Sequence, residues 1–438
     1  MKNNIGYITR KIIELENTKN LFEWEISNIF IWEIIRYQIY SAIVFNNGNE
    51  KKVNNRNTMD YFISKFFNNF SKYINAIVFN PFLDFKESDI LIFESSRKLL
   101  YNNQYIDPYT NFIREDLENR GLKVTRYQSS YAYDRLSKRN FKIKHLDLVF
   151  FISSLFKNLS QQKFSNSEID KINDLESWLY NEFSISFDLR SIINTELSQF
   201  RINSFLYRLL LRIKKPKEIF LVNFCDKSSL IDCAKKNNIN VVDIQHGIIS
   251  SEDIIYHYPN VKKGSLRYFP NKFYTWSKIW TKTCKIPLET KDIIIYSNKF
   301  LLKQNIKFKN LKKIDNQIVI LSQPGLTNQI AECILKNISM FSMLNIVYKL
   351  HPNEYLQKDK YKSLLEIEKK ENVHFASKNI DLHELLAKSV LVIGVYSTAL
   401  IEAASFDCKV VLLDLPGVEM MRPFLNNTNI IMFKTKVT

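Results

Sequence analysis

Glycine is scarce in this chain, with 8 in 438 residues, and no two lie close enough to build a GxGxxG or Walker loop. Loops of that type need glycines so that backbone N–H groups can approach a phosphate. Their lack counts against a dinucleotide oxidoreductase and a P-loop NTPase. Cysteine is sparse too: Cys225, Cys233, Cys284, Cys333 and Cys408 form no CxxC pair. An odd, unpatterned set argues for a reducing compartment and against a disulfide framework or zinc site. Long hydrophobic runs are missing. The longest, near Leu146 to Phe156, falls well short of the ~20 residues a spanning helix needs. The first residues, Met1-Lys2-Asn3-Asn4-Ile5-Gly6-Tyr7, hold no apolar core of signal-peptide type. The expectation is a cytoplasmic protein, soluble or peripheral at the inner face of the plasma membrane.

What is present is an ordinary globular balance, 45% hydrophobic and 24% charged, over a length that favours two or three domains. Lysine and arginine number 62 against 45 acidic residues, a formal +17. A Lys-, Asn- and Ile-rich composition accounts for part of that surplus. The rest suits a polyanionic partner: nucleic acid, an anionic membrane surface, or phosphate-bearing substrates. No recognised DNA- or RNA-binding motif occurs, so nucleic acid is not expected.

The texture divides the chain into three. Residues 1–85 carry apolar and aromatic residues at helical spacing, as in Trp24, Ile31, Ile34, Ile35 and Ile39, which reads as a core-packing helix pair. Gly48 to Asn57 reads as a polar loop. Residues 86–300 open as β-α-β, with strands at 89–94 and 122–127, pass through helices over 145–215, and resume strands at 218–224 and 240–245. After a Lys-rich linker at 302–313, residues 301–438 alternate strands and helices to the end, with strands at 317–321, 346–350, 373–375, 390–393, 410–413 and 430–433. Short apolar strands alternating with helices predict parallel sheets covered on both faces. The expected fold class is α/β, two Rossmann-like domains facing a cleft, with a helical N-terminal extension.

In such sheets ligands bind beyond the carboxyl ends of the strands, so polar residues directly after strands are the candidates. Gln245-His246-Gly247 ends one: His246 suits a general base near neutrality, or a hydrogen-bonded structural role, and Gly247 permits close approach of a substrate. Lys349-Leu350-His351-Pro352 ends another, where His351 and Lys349 could donate to a phosphate and Pro352 stops the ladder. Gly394-Val395-Tyr396-Ser397-Thr398 leads into a helix. Ser397 and Thr398 sit where N–H groups and the helix dipole favour phosphate, or serve as a cap, and Glu402 one turn on could accept ribose hydroxyls. Ser322-Gln323-Pro324-Gly325 forms the first strand-to-helix turn of the last domain, its backbone facing a nucleotide. The acidic pairs Glu115-Asp116 and Glu252-Asp253 read as solvated. His374 and His383 show no metal-ligand spacing, and Tyr274, Trp276 and Trp280 read as core, with sugar stacking as the alternative.

These pieces, with Ile31-Trp32-Glu33-Ile34-Ile35-Arg36-Tyr37 and Tyr268-Phe269-Pro270, resemble capsule and surface-polysaccharide transferases of the GT-B superfamily. Glu94-Ser95-Ser96-Arg97 followed by Tyr105-Ile106-Asp107 looks like the first-domain strand and substrate loop of that group, which places Ser95, Arg97 and Gly247 on the substrate side. Polysialyltransferases and Kdo transferases are similar in carrying a His-Pro element and a downstream Ser/Thr element. The resemblance implies that His351, Pro352, Lys349, Ser397, Thr398, Glu402, Gln323, Pro324 and Gly325 hold the donor nucleotide and its phosphate. His246, with Gln245, would serve as the base. Teichoic-acid glycerophosphotransferases also resemble it, but Gln245, Val395 and Thr398 depart from their Trp, Asp and Ser. The implied activity is sugar transfer from a nucleotide sugar to a lipid-linked or oligosaccharide acceptor, inverting, with neither metal nor cofactor. A nucleotide-sugar epimerase and a non-catalytic glycan-binding protein are the alternatives.

Overall fold

The computed structural model describes residues 4–45, 79–128, 143–156, 162–352 and 354–433. The loop expected at 48–57 and the tail after Phe433 lie outside them. Residues 4–45 form the helices Ile5–Thr18 and Ile31–Phe45, joined through the two-residue strands β1 (Glu25–Ile26) and β2 (Ile29–Phe30). Ile8, Ile12, Trp32, Ile35 and Ile39 are buried with Ile172, Leu175, Ile193 and Leu197 of the long helices Asn166–Phe183 and Leu189–Lys214. The N-terminal pair is therefore core-packed, and its apolar periodicity has found a helical partner.

The first sheet contains β3 (Ile90–Phe93), β6 (Val124–Gln128), β7 (Ile143–His145), β8 (Glu218–Val222), β9 (Asn240–Ile244), β10 (Lys272–Thr275) and β11 (Ile293–Ile295). A small hairpin of β4 (Leu99–Tyr101) and β5 (Gln104–Ile106) follows β3. The strand order is β11-β10-β9-β8-β3-β6-β7, every pair parallel. The second sheet holds β12 (Gln317–Leu321), β13 (Asn345–Lys349), β14 (Val373–Phe375), β15 (Leu391–Gly394), β16 (Lys409–Leu413) and β17 (Ile430–Phe433), ordered β14-β13-β12-β15-β16-β17 and again all parallel. In each sheet the chain starts in the middle, winds to one edge, then returns and winds to the other. The reversal falls between β3 and β8 in the first and between β12 and β15 in the second. Beyond the carboxyl ends of those strands lies the crevice such sheets offer a ligand.

The two sheets with their covering helices make two α/β domains. They pack on each other, with Trp280 of the first set edge-on against Phe424 of the second at 4.7 Å between centroids. The boundary expected at 300/301 falls inside the helix Lys299–Phe308, which carries the chain from β11 to β12. Asp116 pins the start of that helix by accepting hydrogen bonds from Tyr296 and Lys299, at 2.7 and 2.5 Å. The helix Ile5–Thr18 bridges the domains as well. The N–H of Gly6 donates to Glu419 of the second domain at 3.1 Å, and Thr9 donates to the carbonyl of Glu252 at 3.1 Å.

Several expectations need correction. Glu252 is buried beneath Gly6, where an added Cβ would meet its carboxylate at 2.8 Å. Asp253 is half-buried, and desolvation raises its pKa to about 7, so neither acid is solvated. β4, β5, β7, β10 and β11 were not anticipated. The apolar stretch 146–156 is the ten-residue helix Asp147–Phe156, and no helix of the described residues is long and apolar enough to cross a membrane.

Gly417 sits in the left-handed region at φ 96°, and a Cβ there would stand 2.3 Å from the Tyr396 ring. Gly417→Ala should therefore destabilise the fold by about 2 kcal/mol or more, through backbone strain and overpacking. Urea unfolding should show it as a lower midpoint at unchanged slope.

Candidate active-site cleft

Each strand-end element lies where the chain leaves a parallel strand. On the first-domain wall, His246 follows β9 and is half-buried. Its Nδ1 is buried with no hydrogen-bond partner among the described residues. Desolvation lowers its pKa to about 4, so the imidazole is neutral across the physiological range. Tyr109 meets it edge to face at 6.4 Å and lies parallel to Trp276 at 6.4 Å. The guanidinium of Arg97, on the loop after β3, donates to the Tyr109 hydroxyl at 2.8 Å.

Gln245 behaves differently from the expected member of a catalytic pair. It is wholly buried, and its amide donates to the Gly247 carbonyl and accepts from Thr275 and from the N–H of Trp276, each at 2.9 Å. With both ends of the amide engaged, Gln245 fixes the turn that presents His246 and cannot touch a substrate. Gly247 leaves open space on its Cβ side. Ser95 is likewise committed: its N–H and hydroxyl both bind the buried carboxylate of Asp107, at 2.6 and 2.8 Å. Asp107 also accepts from the N–H of Tyr109 at 2.8 Å. It thereby ties the loop carrying Arg97 to the start of the helix Asn111–Asn119.

The second-domain wall is built at the β12/β15 reversal. Gly325, at φ 86°, turns the chain after β12, and the side chain of Gln323 bonds the Tyr396 hydroxyl. Pro324 stiffens the same half-buried turn. Ser397 caps the helix Thr398–Ser405, its hydroxyl accepting from the N–H of Ala399 at 3.2 Å. The N–H of Leu400 donates to the Ser397 carbonyl at 3.1 Å, so Ser397 engages two of the first-turn N–H groups of this helix.

His351 and Pro352 are exposed after β13. The N–H of His351 donates to Glu354 at 2.6 Å. Glu354, itself buried, also accepts from the hydroxyl of Ser322 at 2.9 Å and from that of Thr327. One carboxylate thus holds the loops after β12 and β13 together, a role the sequence reading missed. The acid three residues after His351 was the available signal, since it can fold back onto that backbone N–H. Glu354→Ala would leave three donors unmatched in a buried site. It should cost on the order of 3 kcal/mol in urea unfolding, with weaker nucleotide binding. Lys349, expected beside a phosphate, instead donates to the Tyr355 hydroxyl and the Ser377 carbonyl, both at 3.0 Å. Burial lowers its pKa to about 8. Its ammonium braces the end of β14.

Between the walls lies a cavity of about 230 Å³, lined by Trp276 and Trp280 from the first domain, Asn298 and Leu301 at the joining helix, and Thr398 and Glu402 from the second. Trp280 is buried in the core, as its sequence reads, and reaches the cavity wall; half-buried Trp276 lines it more openly, while Tyr274 packs away against Phe220 and Tyr296. Glu402 accepts from Thr398 and pairs with His383 at 3.1 Å. Burial acts to raise its pKa, but His383 and the charge of Arg97 outweigh that and hold it low. Aromatic faces beside an ionised carboxylate and small polar groups are the chemistry that holds a sugar ring.

No family model matches the chain, and no curated protein does. Among solved structures it is similar to the UDP-GlcNAc 2-epimerase of Methanocaldococcus jannaschii in complex with UDP-GlcNAc and UDP, at 12% identity over 80% of this chain and 88% of that one, TM-score 0.46. The UDP-GlcNAc 2-epimerase from Neisseria meningitidis bound to UDP-GlcNAc matches at 13% identity over 79% and 86%, TM-score 0.43. The Acinetobacter baumannii MurG matches at 10% over 78% and 85%, TM-score 0.46.

Proposed function

We propose that the protein is a glycosyltransferase moving a sugar from a nucleotide-sugar donor to a hydroxyl of a surface-polysaccharide acceptor, capsule or O-antigen, carried on a lipid or a growing glycan. What supports this reading is the placing of the candidates at strand ends: a neutral histidine follows β9 in the first domain, and the reversal point of the second has a capped helix N-terminus beside a cavity lined by Trp276, Thr398 and Glu402. His246 takes the acceptor hydroxyl proton as the new glycosidic bond forms. The anomeric carbon–oxygen bond to the donor phosphate breaks on the opposite face, and the departing diphosphate or phosphate gathers charge. First-turn N–H groups at Ser397–Thr398 and the exposed imidazole of His351 stabilise that charge. Such donors allow the step to run without a divalent metal, and attack opposite the leaving group inverts the anomeric centre. The formal +17 suits a protein working beside anionic lipid or polyanionic glycan.

The test is product analysis by mass spectrometry, with UDP-GlcNAc, UDP-glucose, GDP-mannose and CMP-N-acetylneuraminate each offered with and without a membrane extract as acceptor source. Turnover that needs the acceptor, with loss in His246→Ala, supports transfer. Conversion of a free nucleotide sugar to an isomer would replace transfer by epimerisation. Transfer of glycerophosphate from CDP-glycerol would replace it by the teichoic-acid-type reaction. Glycan binding that His246→Ala leaves intact, with no turnover, would make the protein a binder.

A further inference from the structure

The helices Asp147–Phe156 and Leu189–Lys214 pack on each other and on one face of the first sheet. Val149, Leu206 and Leu210 share a buried core with Leu91 and Leu221, whereas Ile92 and Phe220 belong to the core on the sheet's other face. What the two helices leave exposed therefore points away from the same layer. On the longer helix this is Phe205, Arg208, Leu209 and Arg212, whose i, i+3, i+4, i+7 spacing marks one side. On the shorter it includes Phe150 and Leu155. Phe205 is 63% exposed and Leu155 49%, so these are not core residues that graze the surface. Single exposed apolar side chains are ordinary. Four on neighbouring helices, with arginines beside them, mark a surface that something covers.

The charge of this layer is nearly all of one sign. From Leu197 to Lys214 the longer helix holds Arg201, Arg208, Arg212 and Lys214 and no acid, and Asp147 is the one acid of the shorter helix. Lys214 is spent on Asp84 at 2.9 Å, and Arg201 on Gln162 at 2.8 Å. Arg208 and Arg212 are exposed. Among the described residues neither pairs with a carboxylate, and Arg208 donates to the Ser204 carbonyl of its own helix at 3.2 Å. We propose that this outer layer of the first domain is a docking surface for an anionic lipid bilayer. Phe150, Leu155, Phe205 and Leu209 enter the interface, and Arg208 and Arg212 meet lipid phosphates. Arginine stems can lie along apolar neighbours while their heads stay with the headgroups, and a helix in the interface buries its apolar side only ~5–10 Å deep. No helix of the described residues is long and apolar enough to cross a membrane, so contact of this kind is made by a surface. A second copy of the chain fits less well. A twofold contact sets the patch against itself, and the patch has no exposed acid beside Arg208 and Arg212 to pair them. The inference rests on the reading that the formal +17 serves anionic lipid, and not on the chemistry assigned to the cleft.

The test is co-sedimentation with vesicles of phosphatidylcholine alone and of phosphatidylcholine mixed equally with phosphatidylglycerol, at about 0.1 M and about 1 M salt. The wild type should bind the anionic vesicles at least about tenfold more tightly than the neutral ones at the lower salt. Phe205→Ser with Leu209→Ser should lower affinity for anionic vesicles about tenfold or more at both salts. Arg208→Glu with Arg212→Glu should lower it by as much at low salt and differ less from wild type at high salt, where screening already weakens the attraction. Met343→Ser, at an 86% exposed apolar residue of the second domain, should change nothing. All of these side chains are exposed, so urea midpoints should stay level and a lost interaction reads as a lost surface. Each variant is also scored for stabilisation by nucleotide. Failure of that readout alone counts against the cleft reading and leaves the docking surface standing. No binding of the wild type to anionic vesicles, or binding that both double variants keep, would overturn the inference. So would self-association of the wild type that Phe205→Ser with Leu209→Ser abolishes, without vesicle binding.

Discussion

Replacing His246, the proposed base, by Ala should lower kcat by about 10²–10⁴-fold and leave nucleotide affinity nearly unchanged, because it stands in the first domain and the proposed donor loops in the second. The imidazole packs edge to face on Tyr109 and is held by a turn whose hydrogen bonds belong to Gln245. The protein should therefore fold without it. The pH profile carries a sharper signature. A histidine at its ordinary pKa of ~6.5 would lose activity below neutrality as it protonates. Burial holds His246 near about 4, so the rate should stay level from pH 8 down to pH 5 and fall only below that. Stability moves with the same group. The unfolded chain binds a proton at His246 near its ordinary pKa while the native state refuses it until about 4, so the fold loses stability as pH drops through that window. His246→Gln should remove that part of the acid sensitivity, which urea midpoints at pH 7 and pH 4.5 would show.

Breaking the buried Glu16–Arg36 pair should cost about 3–5 kcal/mol, the largest stability effect expected of any single change. Arg36 donates to both oxygens of Glu16, at 2.5 and 3.1 Å, to the His257 carbonyl at 3.0 Å, and to the Ile254 carbonyl. The indole of Trp32 adds a bond to Glu16 at 2.8 Å, and the N–H groups of Arg267 and Tyr268 bind Glu33 at 3.0 and 2.8 Å. The Ile31–Tyr37 segment thus anchors the long loop that leaves His246 and returns to β10. Arg36→Ala strands a carboxylate and two carbonyls in the interior. Changing Glu16 and Arg36 together to apolar residues should recover much of the loss, since the desolvation cost of both charges disappears. A double-mutant cycle by urea unfolding measures this. Additive losses would show that the two side chains are not coupled.

Local pattern carried the second domain. Its strands are short runs of branched apolar residues, and Gln317–Leu321, Val373–Phe375 and Ile430–Phe433 stand at the bounds their composition indicates. Buried parallel strands announce themselves this way because both faces need apolar side chains. β10 escaped notice because Lys-Phe-Tyr-Thr mixes polar and aromatic residues, and β11 because three isoleucines at a sheet edge make too short a run. The hairpin after β3 is equally short and largely polar.

At the cleft, the Gln-His-Gly, His-Pro and Ser-Thr elements were visible because turns after strands punctuate the sequence. Their wiring was not. Gly6 meets Glu419 across 413 residues, Tyr109 meets His246, and Ser322 meets Glu354. No local rule reports such contacts, so Gln245, Ser95 and Lys349 looked like ligands when their polar atoms are spent on bracing. Trp276 looked like core for a similar reason, since an aromatic that lines a cavity between domains has the same sequence signature as one that fills the interior, as Trp280 does.

The most direct test of the account is thermal or calorimetric stability with CMP, UDP, GDP and CDP, wild type beside a variant with Ser397 and His351 both changed to Ala. Nucleotide at 100 times its dissociation constant should add about 2.7 kcal/mol for one member of the set, and the double variant should lose most of that gain. No gain with any of the four, or a gain the variant keeps in full, would contradict a nucleotide site at the β12/β15 crevice.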